Sequence, residues 1–259
     1  MSKIKKFRII KYKNISPTLK IKNISKSIDR IKIIQNLSLS INPGSINGLL
    51  GPNGSGKTTL FNLILGIMKA DHGEIFAKAN QKTEKISSLP VHERASRFRI
   101  GYIPQNESVF RGLSCESNLK AIAEIVIKNK REQNEMVERL LTEFTLLDVR
   151  KTLAQNLSGG QKKKLVIARA LINKPEILLM DEIFSAIDPI TIETIKKIIV
   201  NLQIKKNISI LITDHAFDNV LQISDKIFII FDGKIVSSGK PQDIIRDENA
   251  RQVYFGETY

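Results

Sequence analysis

A chain of 259 residues is long enough for one large α/β domain with a sizeable core, or for two small domains. Hydrophobic residues make up 42% and charged residues 26%, an ordinary globular balance, and no apolar run approaches the ~18 residues of a membrane span. The lone cysteine, Cys115, excludes an internal disulfide framework and a cysteine-based metal cluster and suits a reducing cytosol, while a net charge of +15 leaves three meanings open: nucleic acid, an anionic membrane surface, or a Lys-, Ile- and Asn-rich composition.

Residues 1–18 carry six Lys or Arg and no acid, and read as an extension. They have neither the apolar stretch nor the cleavage site of a secretory signal. Regular structure is expected from Leu19 to the end of the chain, as one domain over 19–259. Leu37, Leu39 and Ile41 alternate with serines as a half-buried strand does. Asn42-Pro43-Gly44-Ser45 is a turn, Ile46–Leu50 the next strand, and Thr58 to Met68 a helix. Leu119, Ile122, Ala123 and Val126 lie on one helical face, as do Val137, Leu140, Leu141 and Phe144. These two amphipathic helices predict a helical insertion over about 106–156.

Beyond it come a helix (Gln161–Ile172), a strand (Ile177–Met180), a helix (Ile192–Leu202) and a strand (Ile208–Thr213). That alternation predicts a parallel sheet with helices on both faces. Asp232-Gly233, between Ile227–Phe231 and Lys234–Ser237, is a hairpin turn. The basic residues are scattered rather than interleaved with aromatics, so no nucleic-acid partner is expected.

Gly51-Pro52-Asn53-Gly54-Ser55-Gly56-Lys57-Thr58 satisfies G-x-x-x-x-G-K-[ST] in full, after a strand and before a helix. Its glycines let consecutive N–H groups turn toward phosphate oxygens, and the helix N-terminus adds positive potential. Lys57 is placed to reach the β- and γ-phosphates, and Thr58 to ligate Mg²⁺. Such a loop needs a carboxylate at the end of a neighbouring buried strand. Ile177-Leu178-Leu179-Met180-Asp181-Glu182 supplies Asp181 for the metal and Glu182 to polarise the attacking water. The pair predicts an NTPase that works with Mg²⁺, and the family resemblance of further motifs makes its nucleotide ATP.

Leu157-Ser158-Gly159-Gly160-Gln161 then resembles the signature of the ABC ATPases. Gln105, in Gly101-Tyr102-Ile103-Pro104-Gln105, is similar to that family's Q-loop glutamine, Asp188 in Ser185-Ala186-Ile187-Asp188-Pro189 to its D-loop, and His215 after Thr213-Asp214 to its switch histidine. The resemblance runs from about Leu19 to Tyr254. It implies an ABC-ATPase P-loop fold: a mixed sheet core, an antiparallel β subdomain and an inserted α-helical subdomain. It also implies that Glu182, His215 and Gln105 are catalytic, with Gln105 joining Thr58 and Asp181 at the metal. Thr59 and the residues from Gly51 to Thr58 would hold the nucleotide. Ser158, Gly159, Gly160, Gln161 and Asp188 would complete the ATP site of a second copy of the chain. His215 would hydrogen-bond the γ-phosphate, and hydrolysis would remove a phosphate bridge between the two copies.

Ile86 to Ala95 resembles a stretch common to the lipopolysaccharide-export and branched-chain amino-acid import ATPases of this family, while Ser108 to Ser114, Gly239-Lys240-Pro241 and Val253 to Glu257 look most like the export ATPases. That likeness implies a subunit peripheral to the cytoplasmic face of the inner membrane. It would serve two membrane-spanning permeases, which dock in a groove near Phe110 and Arg111. The alternatives are the ATPase of a branched-chain amino-acid importer, whose pattern shares the first stretch, or a non-transport ABC ATPase. Three positions depart from the pattern. Ile28 stands where an aromatic usually stacks on adenine, Ile183 where Pro usually follows the glutamate, and Lys162-Lys163-Lys164 form the basic run after the signature.

Overall fold

The computed structural model describes residues 16–106 and 108–255, so the basic extension expected over 1–18 lies almost wholly outside the described residues, as do 256–259. Strands β1 (Leu19–Ile28) and β2 (Ile31–Ile41) form an antiparallel hairpin that turns at Asp29 and Arg30, both with positive φ. Leu37, Leu39 and Ile41 are buried, and Ser38, between two of them, is exposed, as period-2 alternation requires. Strand β3 (Ile46–Leu50) is buried throughout. Helix α1 (Lys57–Leu65) stops short of Met68 because Gly66 turns left-handed, φ 82°, and donates its N–H back to the Leu63 carbonyl.

Strands β4 (His72–Ala79) and β5 (Lys82–Lys85) make a second hairpin through Asn80 and Gln81, both left-handed. Helix α2 (Val91–Ser96) and strand β6 (Ile100–Ile103) lead to the helical insertion. There Ser114 caps α3 (Cys115–Val126), and Asn129 caps α4 (Lys130–Glu143). Then follow α5 (Gly159–Leu171), β7 (Ile177–Asp181), α6 (Pro189–Lys206), β8 (Ser209–Thr213), α7 (Phe217–Ile223), β9 (Lys226–Phe231), β10 (Lys234–Gly239) and α8 (Pro241–Ile244).

Two sheets result. One is antiparallel, in the order β2-β1-β4-β5. The other runs β10-β9-β3-β8-β7-β6 and is parallel except for the β9–β10 hairpin. The apolar runs of its central strands split between two cores. Leu178, Met180, Ile210 and Ile212 face a core shared with α3, α4, α5 and α6, while Ile177, Leu179 and Leu211 face one shared with α1 and the antiparallel sheet. A strand covered on both faces has no polar side to show, which is why these segments read as unbroken hydrophobic runs. In register, Asp181 pairs with Thr213 and Gly48 with Ile212. The residues following β3, β7 and β8 therefore gather at one sheet edge, the place where ligands bind in such folds.

Candidate active site

The loop from Gly51 to Gly56 is shaped by backbone that side chains would obstruct. A Cβ on Gly51 would lie 2.1 Å from the Ile230 carbonyl oxygen. Gly56 has φ 104°, and a Cβ there would strike the Ile34 side chain at 2.7 Å. The β1–β2 hairpin, which carries Ile28, thus leans on this loop through β2. Helix α1 begins directly afterwards with no acidic residue in its first turn, leaving its N-terminal potential uncancelled. Lys57 is buried and donates to the carbonyls of Gly51 at 2.8 Å and Pro52 at 2.9 Å. Burial pushes its pKa down, against the pull of Glu182 and Asp181. The buried Ser55 hydroxyl has no hydrogen-bond partner among the described residues. An unpaired buried hydroxyl in a glycine-rich loop at a helix start suits a phosphate oxygen.

Asp181 is buried at the end of β7, and both its oxygens are engaged. Oδ1 accepts the Thr213 hydroxyl; Oδ2 lies 3.3 Å from the Thr58 hydroxyl and 3.5 Å from that of Tyr102. The next residue collects the catalytic candidates. Gln105 Nε2 donates to Glu182 Oε2 at 2.6 Å, and His215 Nε2 lies 2.9 Å from Oε1. Three residues far apart in sequence therefore meet at one carboxylate. Glu182 itself has φ 49° and is pinned by its N–H on the Thr213 carbonyl at 2.8 Å.

Asp214, one of the residues that motif reading passes over, ties the two loops together. Its carboxylate accepts the N–H of Phe184 at 2.7 Å and of Ala216 at 2.9 Å, and burial raises its pKa. Thr213 and Tyr102 were likewise legible only as flanks of motifs. Ile183 is fully buried in the larger core, so the residue that replaces the usual proline acts as a packing side chain.

The start of α5, which carries the signature residues, is built differently from the phosphate loop. Ser158 caps α5, accepting the Gln161 N–H at 3.2 Å while the Gln161 side chain accepts the Ser158 N–H at 2.9 Å. Here each side chain accepts from the other residue's backbone N–H, and the exposed helix start leaves its other N–H groups toward solvent. Gly160 allows close packing on Thr191, where a Cβ would meet the side chain at 2.8 Å. Asp188 caps α6 by accepting from Thr191, whose hydrogen bonds hold its carboxyl below the ordinary range. The signature and the Asp188 loop therefore form one surface. Thr59, next to Thr58 in the first turn of α1, is partly exposed.

Phe110 is exposed rather than part of the core. Asn118 fixes its backbone, and the Arg169 guanidinium sits 4.6 Å over its ring. A separate apolar groove of about 230 Å³ is lined by Leu65, Ile67, Val91, Arg94, Ala95, Ile100 and Tyr102 and does not include Phe110 or Arg111. Arg94 forms its floor: nearly fully buried, it donates to the carbonyls of Leu63, Ile64, Ser87 and Leu89 at 2.7–2.9 Å. Among the described residues no helix is long and apolar enough to cross a membrane.

Comparison with known proteins gives concordant matches. The ABC transporter family model matches residues 34–185. The lipopolysaccharide export system ATP-binding protein LptB of Haemophilus influenzae is 40% identical over 238 residues, covering 92% of this chain and 96% of that one. LptB of Escherichia coli strain K12 is 40% identical over 243 residues, covering 93% and 98%. Among solved structures, the ADP conformation of the ATP-binding cassette MJ1267 superposes with a TM-score of 0.81 at 29% identity, covering 93% of this chain and all of that one. The dimeric cassette MJ0796 gives 0.76 at 26% identity, covering 86% and 98%.

Proposed function

This chain belongs to the ABC transporter ATPase family, and we propose that it is the ATP-hydrolysing subunit of a lipopolysaccharide exporter, working as a dimer on the cytoplasmic face of the inner membrane. The observation that carries the reading is the convergence of Gln105 and His215 on Glu182 beside the phosphate loop. The 40% identity to the export ATPases over nearly the whole chain supports the substrate and favours it over an importer.

In this reading the N–H groups from Gly51 to Thr59, with Lys57 and Ser55, hold the phosphates, and Ile28 covers the base. The Thr58 hydroxyl and the Asp181 carboxylate converge from two elements, which fits a hard cation that takes few protein oxygens and keeps most of its waters. Thr58 and Asp181 would hold Mg²⁺, with Gln105 nearby. When bound it would neutralise charge developing on the phosphates. Glu182 orients the attacking water and accepts its proton, while Gln105 and His215 aim the carboxylate. His215 then turns toward the γ-phosphate. The surface of Ser158, Gly159, Gly160, Gln161 and Asp188 faces the same phosphate from the second copy, which the dimeric relative supports. Two permease subunits dock over Phe110 and Arg111 and into the groove floored by Arg94, whose open apolar lining suits a helix from a partner.

Glu182→Gln tests the site. Turnover should fall about 100-fold or more, and ATP should hold the variant as a dimer in size-exclusion chromatography. A variant that still hydrolyses, or that stays monomeric in ATP, would remove Glu182 from this role. Co-purification with membrane subunits identifies the transporter.

A further inference from the structure

Tyr102 stands at two places at once. Its residue lines the apolar groove together with Ile67, Val91 and Arg94, yet its hydroxyl lies 3.5 Å from Asp181 Oδ2. That is the same oxygen that approaches the Thr58 hydroxyl, whereas Oδ1 is taken by Thr213. Between these ends the ring packs edge-on against Phe61 of α1, centroids 6.2 Å apart and planes at 87°. Phe61 is fully buried, so the ring has a packed partner on that side. The contact at 3.5 Å is at the outer limit of a hydrogen bond, and a displacement of a few tenths of an ångström makes or breaks it. The same side chain therefore borders the groove at one end and the carboxylate at the other.

We propose that Tyr102 is a positioning residue that orients Asp181 for the metal and transmits occupancy of the groove to that carboxylate. The transmission half rests on the groove being the permease dock; the orienting half does not. Residues that hold a ligating carboxylate through an outer hydrogen bond typically alter metal affinity when removed. Nothing else on β6 can substitute. Gly101 has no side chain, while Ile100 and Ile103 are buried and apolar.

The test uses the full chain and Tyr102→Phe, which keeps the ring and deletes only the oxygen. Binding of a non-hydrolysable ATP analogue is measured by calorimetry with EDTA and across a Mg²⁺ titration. The variant should bind as wild type in EDTA but need about tenfold more Mg²⁺ for the metal-dependent gain. Superimposable Mg²⁺ titrations would overturn the orienting role. In the complex with the membrane subunits, assembly should lower the Mg²⁺ concentration for half-maximal ATPase in wild type and not in Tyr102→Phe; equal shifts would overturn the transmission. Val91→Lys separates the underlying premise. If that variant co-purifies undiminished with the membrane subunits, the groove is not the dock and transmission falls with it, whereas the EDTA and Mg²⁺ comparison still judges the hydroxyl.

Discussion

Glu182 adopts φ 49°, a left-handed conformation that a side chain other than glycine enters at a cost of about 1 kcal/mol or more. The surrounding bonds hold it there: its N–H on Thr213, its carbonyl accepting the Ser185 hydroxyl at 2.7 Å, and its carboxylate between Gln105 and His215. A residue so held can keep one orientation while water and phosphate exchange around it, which is the preorganisation a general base needs. Ile28 is the contrasting case. It sits at the end of β1, partly exposed, and in the proposed role would cover a flat base with aliphatic surface only. Ile28→Tyr should tighten ATP binding about three- to tenfold by adding a stacked ring. An unchanged dissociation constant in titration calorimetry would show that the base lies elsewhere.

Helix α3 shows how an element can be stabilised by charge placed at its start. Glu116, in its first turn, is almost fully buried yet bonds to Lys120 at 2.6 Å and Arg150 at 3.1 Å, with Lys151 at 3.5 Å. Hydrogen bonds from Arg150 and then Lys120 pull its pKa down to about 2 from the ordinary 4.5. A carboxyl whose pKa falls on folding contributes stability that is complete above the unfolded value and is lost as pH drops toward the folded one. Glu116→Gln should therefore lower the melting temperature by about 4 °C at pH 7, and the gap from wild type should close between about pH 4.5 and pH 2. A gap that persists at the acid end would mean that packing, not charge, accounts for the loss. The same helix ends with Ile125 and Val126 exposed, so its amphipathic pattern is clean only over its first two-thirds.

On the scale of the whole molecule, the two helix starts proposed to bind phosphate lie on different surfaces. The start of α1 lies at the sheet edge with Asp181, Glu182 and His215, while the start of α5 packs on the Asp188 loop and is open to solvent. In the proposed dimer, a nucleotide on one copy would meet the second start only when another chain supplies it. In the Glu182→Gln background, adding Ser158→Arg should abolish the ATP-dependent dimer, because a bulky cation replaces a small cap at the joining surface. The elution volume in size-exclusion chromatography reads the outcome directly, and a dimer that survives would place the joining surface elsewhere.

Spacing alone made the phosphate loop, the Asp181–Glu182 pair and the buried strands legible, and resemblance to the family did so for the signature, because each is local: a glycine pattern, an apolar run, a capping residue. The boundaries from Ile46 to Leu50 and from Ile227 to Phe231 could be read in this way. The β4–β5 hairpin could not, since Asn80-Gln81 takes left-handed backbone without the glycine that announces such turns, and four-residue β6 is too short for any period to show. Nor could the partners of Asp181 and Glu182 be paired from the chain. Tyr102, Gln105, Thr213 and His215 reach those carboxylates across strands whose order, β6-β7-β8, is a property of sheet assembly. Local chemistry is written in neighbouring residues, whereas contacts between distant ones exist only after both hydrophobic cores have closed and brought the strand ends to a common edge.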